Sequence, residues 1–165
     1  MLNWQLSLAY FIHLIATVVW IGGVVISALV VWPLQRQLNE REARLQFAEW
    51  QRRFSPFALL AMVALTGSGL MQMAADPNYA GLLQIANLWS WVMLFKHIAF
   101  GAMVLVTAYA AYGLYPALSR QLLLFQAGKP APNLARLQGQ MVALNWVNLG
   151  AAVLVLAFTA IASAI

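Results

Sequence analysis

Four long apolar stretches constrain this chain of 165 residues more than any other feature. They cover residues 6–31, 54–74, 88–115 and 141–164, and each supplies the roughly 20 residues that a helix needs to cross hydrocarbon. The composition agrees, because 64% of the residues are apolar and only 8% are charged. We therefore predict an all-α membrane protein, a single domain over residues 1–165 that folds as a four-helix bundle in a lipid bilayer.

The cations indicate how these four spans are oriented. Five arginines lie between spans 1 and 2, and Arg120, Lys129 and Arg136 lie between spans 3 and 4. The other loop and both termini carry none, so the positive-inside rule predicts basic loops in the cytoplasm and both termini outside. We expect the inner membrane of a bacterium. Topology accounts for the isoelectric point near 10.1, and we predict no nucleic-acid partner.

The two histidines of the chain, His13 and His97, lie at matching places in a sequence repeat. An Arg-Gln-Leu tripeptide follows each of them at the same distance, at 36–38 and at 120–122, and an aromatic–proline pair precedes the tripeptide both times. This pattern predicts two repeated helical hairpins related by an axis along the membrane normal. Spans 1 and 3 then occupy diagonal positions, with both imidazoles roughly 10–14 Å below the outer ends of their helices.

Matched histidines at this depth suggest a shared ligand. An ionisable group in hydrocarbon costs several kcal/mol unless it has a partner or a function, and histidine is a standard axial ligand of haem iron. We predict one b-type haem held between His13 and His97 for electron transfer. A quinol or a redox protein would act at the outer face, and a membrane-protein partner or a second copy would complete the complex.

Further residues complete this predicted haem pocket. Small residues leave room for a flat ligand, polar ones lie near the depth of the histidines, and a cation can pair with a propionate. These residues are Thr66, Gly69, Lys96 and Gly101. The inward stripe of span 3 is predicted to contain Met93, His97, Gly101 and Val104.

Two other interpretations fit the same residues. A membrane histidine can hydrogen-bond to a neighbouring helix without any cofactor, and Lys96 can extend its amine to the headgroups. Alternatively, Met71, Met73 and Met93 offer thioether donors, which together with the histidines suit Cu(I). Near the inner end of span 4, two asparagines on one face, Asn145 and Asn148, are predicted to hydrogen-bond to other helices.

Several short motifs resemble the CopD-type membrane domain, a family named for copper resistance. The resemblance spans about residues 10–105 and implies copper transport or delivery. It rests on His13, Trp20-Ile21-Gly22-Gly23, Arg53-Phe54-Ser55-Pro56, Leu65-Thr66-Gly67 and Lys96.

A weaker resemblance is to the HemJ-type protoporphyrinogen oxidases, which are small helical membrane proteins with an intramembrane histidine and lysine. It implies that Lys96 could hold a substrate carboxylate. The carboxylate side chains of this chain all lie outside the predicted spans. The sequence therefore does not predict a site within the membrane in which two carboxylates act as acid and base. We therefore expect a transport or electron-transfer protein rather than an enzyme acting alone.

Overall fold

The computed structural model describes residues 4–35, 40–81 and 84–165, and this part of the chain folds into helices and short turns without a strand. The all-α prediction is confirmed. Residues 36–38 of the first tripeptide lie outside the described residues. The helices are α1 (Trp4–Ile26), α2 (Trp32–Gln35), α3 (Glu40–Ala74), α4 (Leu88–Tyr109), α5 (Tyr115–Gln126) and α6 (Leu134–Ala162).

Four helical stretches are long and apolar enough to cross a membrane, as predicted. They are longer than the predicted spans. The third runs from Leu88 to Gln126, and at the rise of an α-helix it is almost twice as long as the hydrocarbon of a bilayer is thick. The sequence analysis ended this span at residue 115. The helix continues beyond that point, and Pro116 lies in the first turn of α5, where a missing N–H is tolerated.

The helices pack as two hairpins. α1 lies along α3, and α4 lies along α6, and these two contacts are the most extensive in the molecule. The hairpins meet where α1 touches α6 and α3 touches α4, which places α1 and α4 diagonally across the bundle. The rings of Trp20 on α1 and Phe100 on α4 meet across this diagonal, with centroids 5.6 Å apart in an edge-on arrangement.

Two apolar clusters are stacked along the bundle. The first lies in the half near the chain termini, which we call the termini end, and includes Trp20, Leu65 and Met103. The second lies at the opposite end and includes Leu118 and Leu134. We call that opposite end the basic end, because Arg52, Arg53, Arg120 and Arg136 lie toward it.

A five-residue π-helical segment interrupts each hairpin at the level between the two clusters. One covers Ser27–Val31 and the other Ala110–Leu114. Each ends directly before an aromatic–proline pair, Trp32-Pro33 or Tyr115-Pro116. Because proline cannot donate a backbone hydrogen bond and its ring crowds the carbonyl four residues earlier, the ordinary helical pattern is locally widened at both places.

Candidate functional site

His13 faces α3 in the termini half of the bundle. The side chain is half-buried, and its Nδ1 lies 3.0 Å from Oγ of Ser68, a buried residue of α3. Gly69 lies beside the ring, because a Cβ built there would be 3.4 Å from Cε1 of His13. One turn further along α3, Nε2 of Gln72 donates to the carbonyl of Ala9 at 3.3 Å and secures the same pair of helices.

The hydrogen bonds around Ser68 favour the Nδ1–H tautomer of His13. Ser68 has one hydroxyl proton and donates it to the carbonyl oxygen of Ala64 at 2.6 Å. Its oxygen must therefore accept the bond from His13, which places the imidazole proton on Nδ1. Nε2 of the neutral ring is left with a free lone pair. Metal-binding histidines have the same arrangement, with one nitrogen held by a hydrogen bond and the other available.

Lys96 lies on the inward stripe of α4. This stripe continues through Val92, Ala99 and Met103, all buried, while the side chain of Lys96 is half-buried. Lys96 is close enough to His13 for the two side chains to interact electrostatically. Within residues 4–35, 40–81 and 84–165 no hydrogen bond or ion pair to its amine is found. Lys96 thus lies on the inward stripe of α4, within electrostatic range of His13.

His97 has a different environment from His13. Its side chain is exposed on the outside of the bundle, and its Nδ1 donates to the carbonyl of Met93 in the same helix at 2.6 Å. The predicted stripe of span 3 is therefore rotated by one residue, about 100° around the helix, from the stripe that packs inward. The two histidines share a similar depth but are not brought together in this bundle.

The other predicted pocket residues divide between the two sides of the helices. Gly69 lies at His13, as expected. Thr66 is exposed and bonds to the carbonyl of Met62 in its own helix, so Ser68 takes the polar position next to His13. Gly101 is half-buried, and a Cβ there would have no neighbour within 4 Å.

The methionines proposed for copper are not the ones buried deepest in the bundle. Met71 is 52% exposed, and Met73 and Met93 are half-buried at the termini end. Met103 and Met141 are 1% and 5% exposed. The sequence analysis missed these two residues because methionine is common in apolar helices. The sequence feature that could have identified Met103 as buried is the set of small and apolar residues that share its helix face.

A set of three acidic, histidine or cysteine side chains that could hold a metal ion is not found among the described residues. Imidazole and thioether groups are the soft donors that the termini half of the bundle offers. Cu(I) favours such soft donors, whereas Zn²⁺ prefers sets of imidazole, thiolate and carboxylate groups.

Comparison with known proteins gives one match. The family model for copper resistance protein D, CopD, matches residues 48–162, which include α4 and α6 completely and most of α3. No curated protein and no solved structure matches this chain. The match contains Ser68, Lys96 and His97 and begins after His13. It also extends through the last helix, beyond the residues that carried the resemblance in the sequence. The matched segment covers most of the chain, which therefore belongs to the CopD family of copper resistance membrane proteins.

Proposed function

We propose that this chain handles monovalent copper in the membrane, with Nε2 of His13 as a ligand in the termini half of the bundle. The match to the copper resistance family carries this proposal. The hydrogen bond to Ser68 supports the choice of His13, because it holds the ring in the tautomer that a metal ion requires. Copper is the cargo of the protein in this proposal. The membrane is the inner membrane of a bacterium.

Thioether groups would receive the ion beyond His13. Met103 lies on the same inward stripe as Lys96, about two helical turns deeper in the bundle. Met62 packs against the same apolar cluster from α3. Met73 and Met93, half-buried nearer the termini, remain candidates for the first contact with copper. A path of soft donors lets Cu(I) leave water without a carboxylate.

Lys96 opposes a second cation at His13 while its amine is protonated. Like charges inside a protein repel, by about 4 kcal/mol for a 4 Å separation at an effective dielectric constant near 20, and the repulsion falls as the distance grows. Lys96 would therefore weaken copper binding at His13 and favour release. A tight permanent site would not suit a protein that passes its cargo on.

The two histidines provide the test and its matched control. The purified protein in detergent is titrated with Cu(I) under ascorbate, against a chromogenic Cu(I) chelator. We expect one equivalent to bind, His13→Ala to weaken binding by about a hundredfold, and His97→Ala to leave it unchanged. Equal affinities for the wild type and His13→Ala would overturn the assignment of His13.

Movement of copper tests the role of Met103 separately. In proteoliposomes loaded with a Cu(I) chelator, Met103→Leu should slow uptake while leaving the affinity at His13 intact. Leucine preserves the volume of the side chain and removes the sulfur donor. Met71→Leu is the control, because Met71 is exposed on the bundle surface. Identical rates for both variants would exclude a path through Met103.

The haem between His13 and His97 stays a prediction, as do its quinol and redox partners. An optical spectrum of the same preparation separates haem from copper, because a Soret band lost in both histidine variants would favour haem. The protoporphyrinogen oxidase activity also stays a prediction. Growth of a strain lacking that oxidase, restored by this chain and abolished by Lys96→Met, would favour it over copper handling.

A further inference from the structure

A cavity of about 60 Å³, lined by both apolar and polar side chains, lies at the level of the two π segments. It is separate from His13, since Trp20, about two turns further along α1, lies at its wall. Its wall includes the hydroxyl groups of Ser27, Ser55 and Thr107 and the amide of Asn145. It also includes residues of both apolar clusters, so the cavity lies at their junction.

Two residues that line this cavity each have a buried polar atom with no hydrogen-bond partner in the described part of the chain. These atoms are Nε1 of Trp20, a residue 1% exposed, and Oδ1 of Asn148, a residue 7% exposed. One is a donor and the other an acceptor. Leaving such groups unpaired costs about 1–3 kcal/mol each, so they call for a ligand that both donates and accepts hydrogen bonds.

Several neighbouring polar groups are already engaged in hydrogen bonds. Nδ2 of Asn148 donates to Oγ1 of Thr107 at 3.0 Å, and Nδ2 of Asn145 donates to the carbonyl of Val24 at 3.3 Å. Ser27 accepts from Nε1 of Trp50 at 2.7 Å and donates to a backbone carbonyl. Reversing the amide of Asn148 only exchanges which of its atoms is unpaired.

We propose that this cavity binds a cluster of water molecules that enters from the basic end. Water both donates and accepts, so one cluster can pair with Trp20 and Asn148 at once. A water molecule needs roughly 10–15 Å³ of such volume and two to four polar partners, so about four molecules fit. A larger organic ligand does not fit. Gln51 and Tyr115 extend the polar wall toward the basic end.

This water site does not depend on copper binding. It would give the bundle a wet compartment that reaches Trp20, while the apolar layer around Met103 separates it from His13. The dry part of the membrane would then be reduced to that layer. Ions or protons crossing the bundle would be desolvated only over this short distance.

Two methionines of similar burial provide the experiment. Hydroxyl radicals generated from water by a short X-ray pulse oxidise methionines next to internal water, and mass spectrometry locates the oxidised residue. Met141 lines the cavity, whereas Met103 does not. Both are at least nine-tenths buried. We expect Met141 to be oxidised at least tenfold faster than Met103 in the intact protein in lipid nanodiscs.

A variant tests whether the polar groups hold the water. Asn148→Leu removes the unpaired acceptor and makes the lining more apolar, which weakens the binding of water there. The oxidation rate of Met141 should fall at least fivefold, while that of exposed Met71 stays constant. Equally slow oxidation of Met141 and Met103 in the wild type would overturn the proposal without any variant. Unchanged oxidation of Met141 in a folded Asn148→Leu protein would also contradict it.

Discussion

The two hairpins carry the same sequence features but use them differently. Each has a histidine at the same distance before an Arg-Gln-Leu tripeptide and a π segment directly before an aromatic–proline pair. His13 reaches the neighbouring helix of its hairpin, whereas His97 bonds to its own helix and faces outward. On α4 the adjacent residue, Lys96, occupies the inward stripe. Successive residues of an α-helix lie about 100° apart around its axis, so a shift of the inward stripe by one residue replaces an interior imidazole with an interior amine.

This difference indicates that a sequence repeat can preserve topology without preserving chemistry. Two matched histidines would make a symmetrical site, but here His13 faces α3 and the inward stripe of α4 carries Lys96. An imidazole and an amine differ in charge and in metal affinity, so such a site can distinguish ligands that a site with two imidazoles cannot. The predictions below test how far the two hairpins differ, beginning with the largest expected effect.

The glycines of the two hairpins should differ most. A Cβ at Gly23 would overlap the ring of Phe54 on α3, whereas one at Gly101 has no neighbour within 4 Å. We expect Gly23→Ala to destabilise the protein by about 1–3 kcal/mol through overpacking. Gly101→Ala should stabilise it by roughly 0.5–1 kcal/mol, because alanine favours helix. Thermal unfolding in detergent measures both, and Gly22→Ala is a second control. Equal melting temperatures for all three variants would contradict the close packing of α1 on α3.

Removing the partner of His13 should reduce copper affinity next most strongly. Ser68→Ala eliminates the acceptor that fixes the Nδ1–H tautomer, and losses of this kind cost about tenfold to a hundredfold in metal affinity. Thr66→Ala on the same helix is the matched control, because Thr66 bonds only to its own backbone. Competition with a Cu(I) chelator measures both variants. The same loss in both would point to a general effect on α3.

Neutralising the interior cation should have the opposite effect. Lys96→Met keeps an unbranched side chain and removes the charge, so Cu(I) affinity at His13 should rise by roughly tenfold. His97→Leu, the adjacent change on the outer face, should leave the affinity within twofold. The prediction fails if the affinity of Lys96→Met is unchanged or lower. Such a result would mean that Lys96 does not influence the ion electrostatically.

The smallest effect is expected at Gly69. A methyl group there would lie 3.4 Å from Cε1 of His13, which is ordinary van der Waals contact. Gly69→Ala should change Cu(I) affinity by less than threefold and leave the fold intact. A large loss would show that copper itself occupies the space above Gly69. The chelator titration therefore also locates the ion relative to α3.

Hydropathy and charge were sufficient to predict the number of spans, because both indicate whether a helix is surrounded by lipid or by water. Hydropathy alone does not fix which face of a membrane helix turns inward, since lipid and protein interior are almost equally apolar. The prediction for α4 therefore placed His97 inward where the structure places Lys96. Asn145 and Asn148 were predicted to join helices, and their hydrogen bonds confirm it.

The cavity and the long helices at the basic end could not be predicted from the sequence. The cavity requires residues from α1, α3, α4 and α6 at one level, and no local pattern encodes that combination. The extent of α5 depends on Leu118 and Leu122, which are buried against the basic-end cluster rather than in lipid. A hydropathy average along the sequence measures how well a segment dissolves in lipid, and it does not detect burial of one helix face against other helices.

We expect the π segments to divide the molecule into two folding units. Both interrupt the regular hydrogen-bond ladder at the same level, and one apolar cluster lies on each side of that level. Cooperative units of local opening often coincide with such separately packed regions. Hydrogen exchange should therefore report two protection plateaus, with the backbone amides of the basic end opening first. Partial denaturation would then leave a shortened bundle that still contains His13, Ser68 and Lys96.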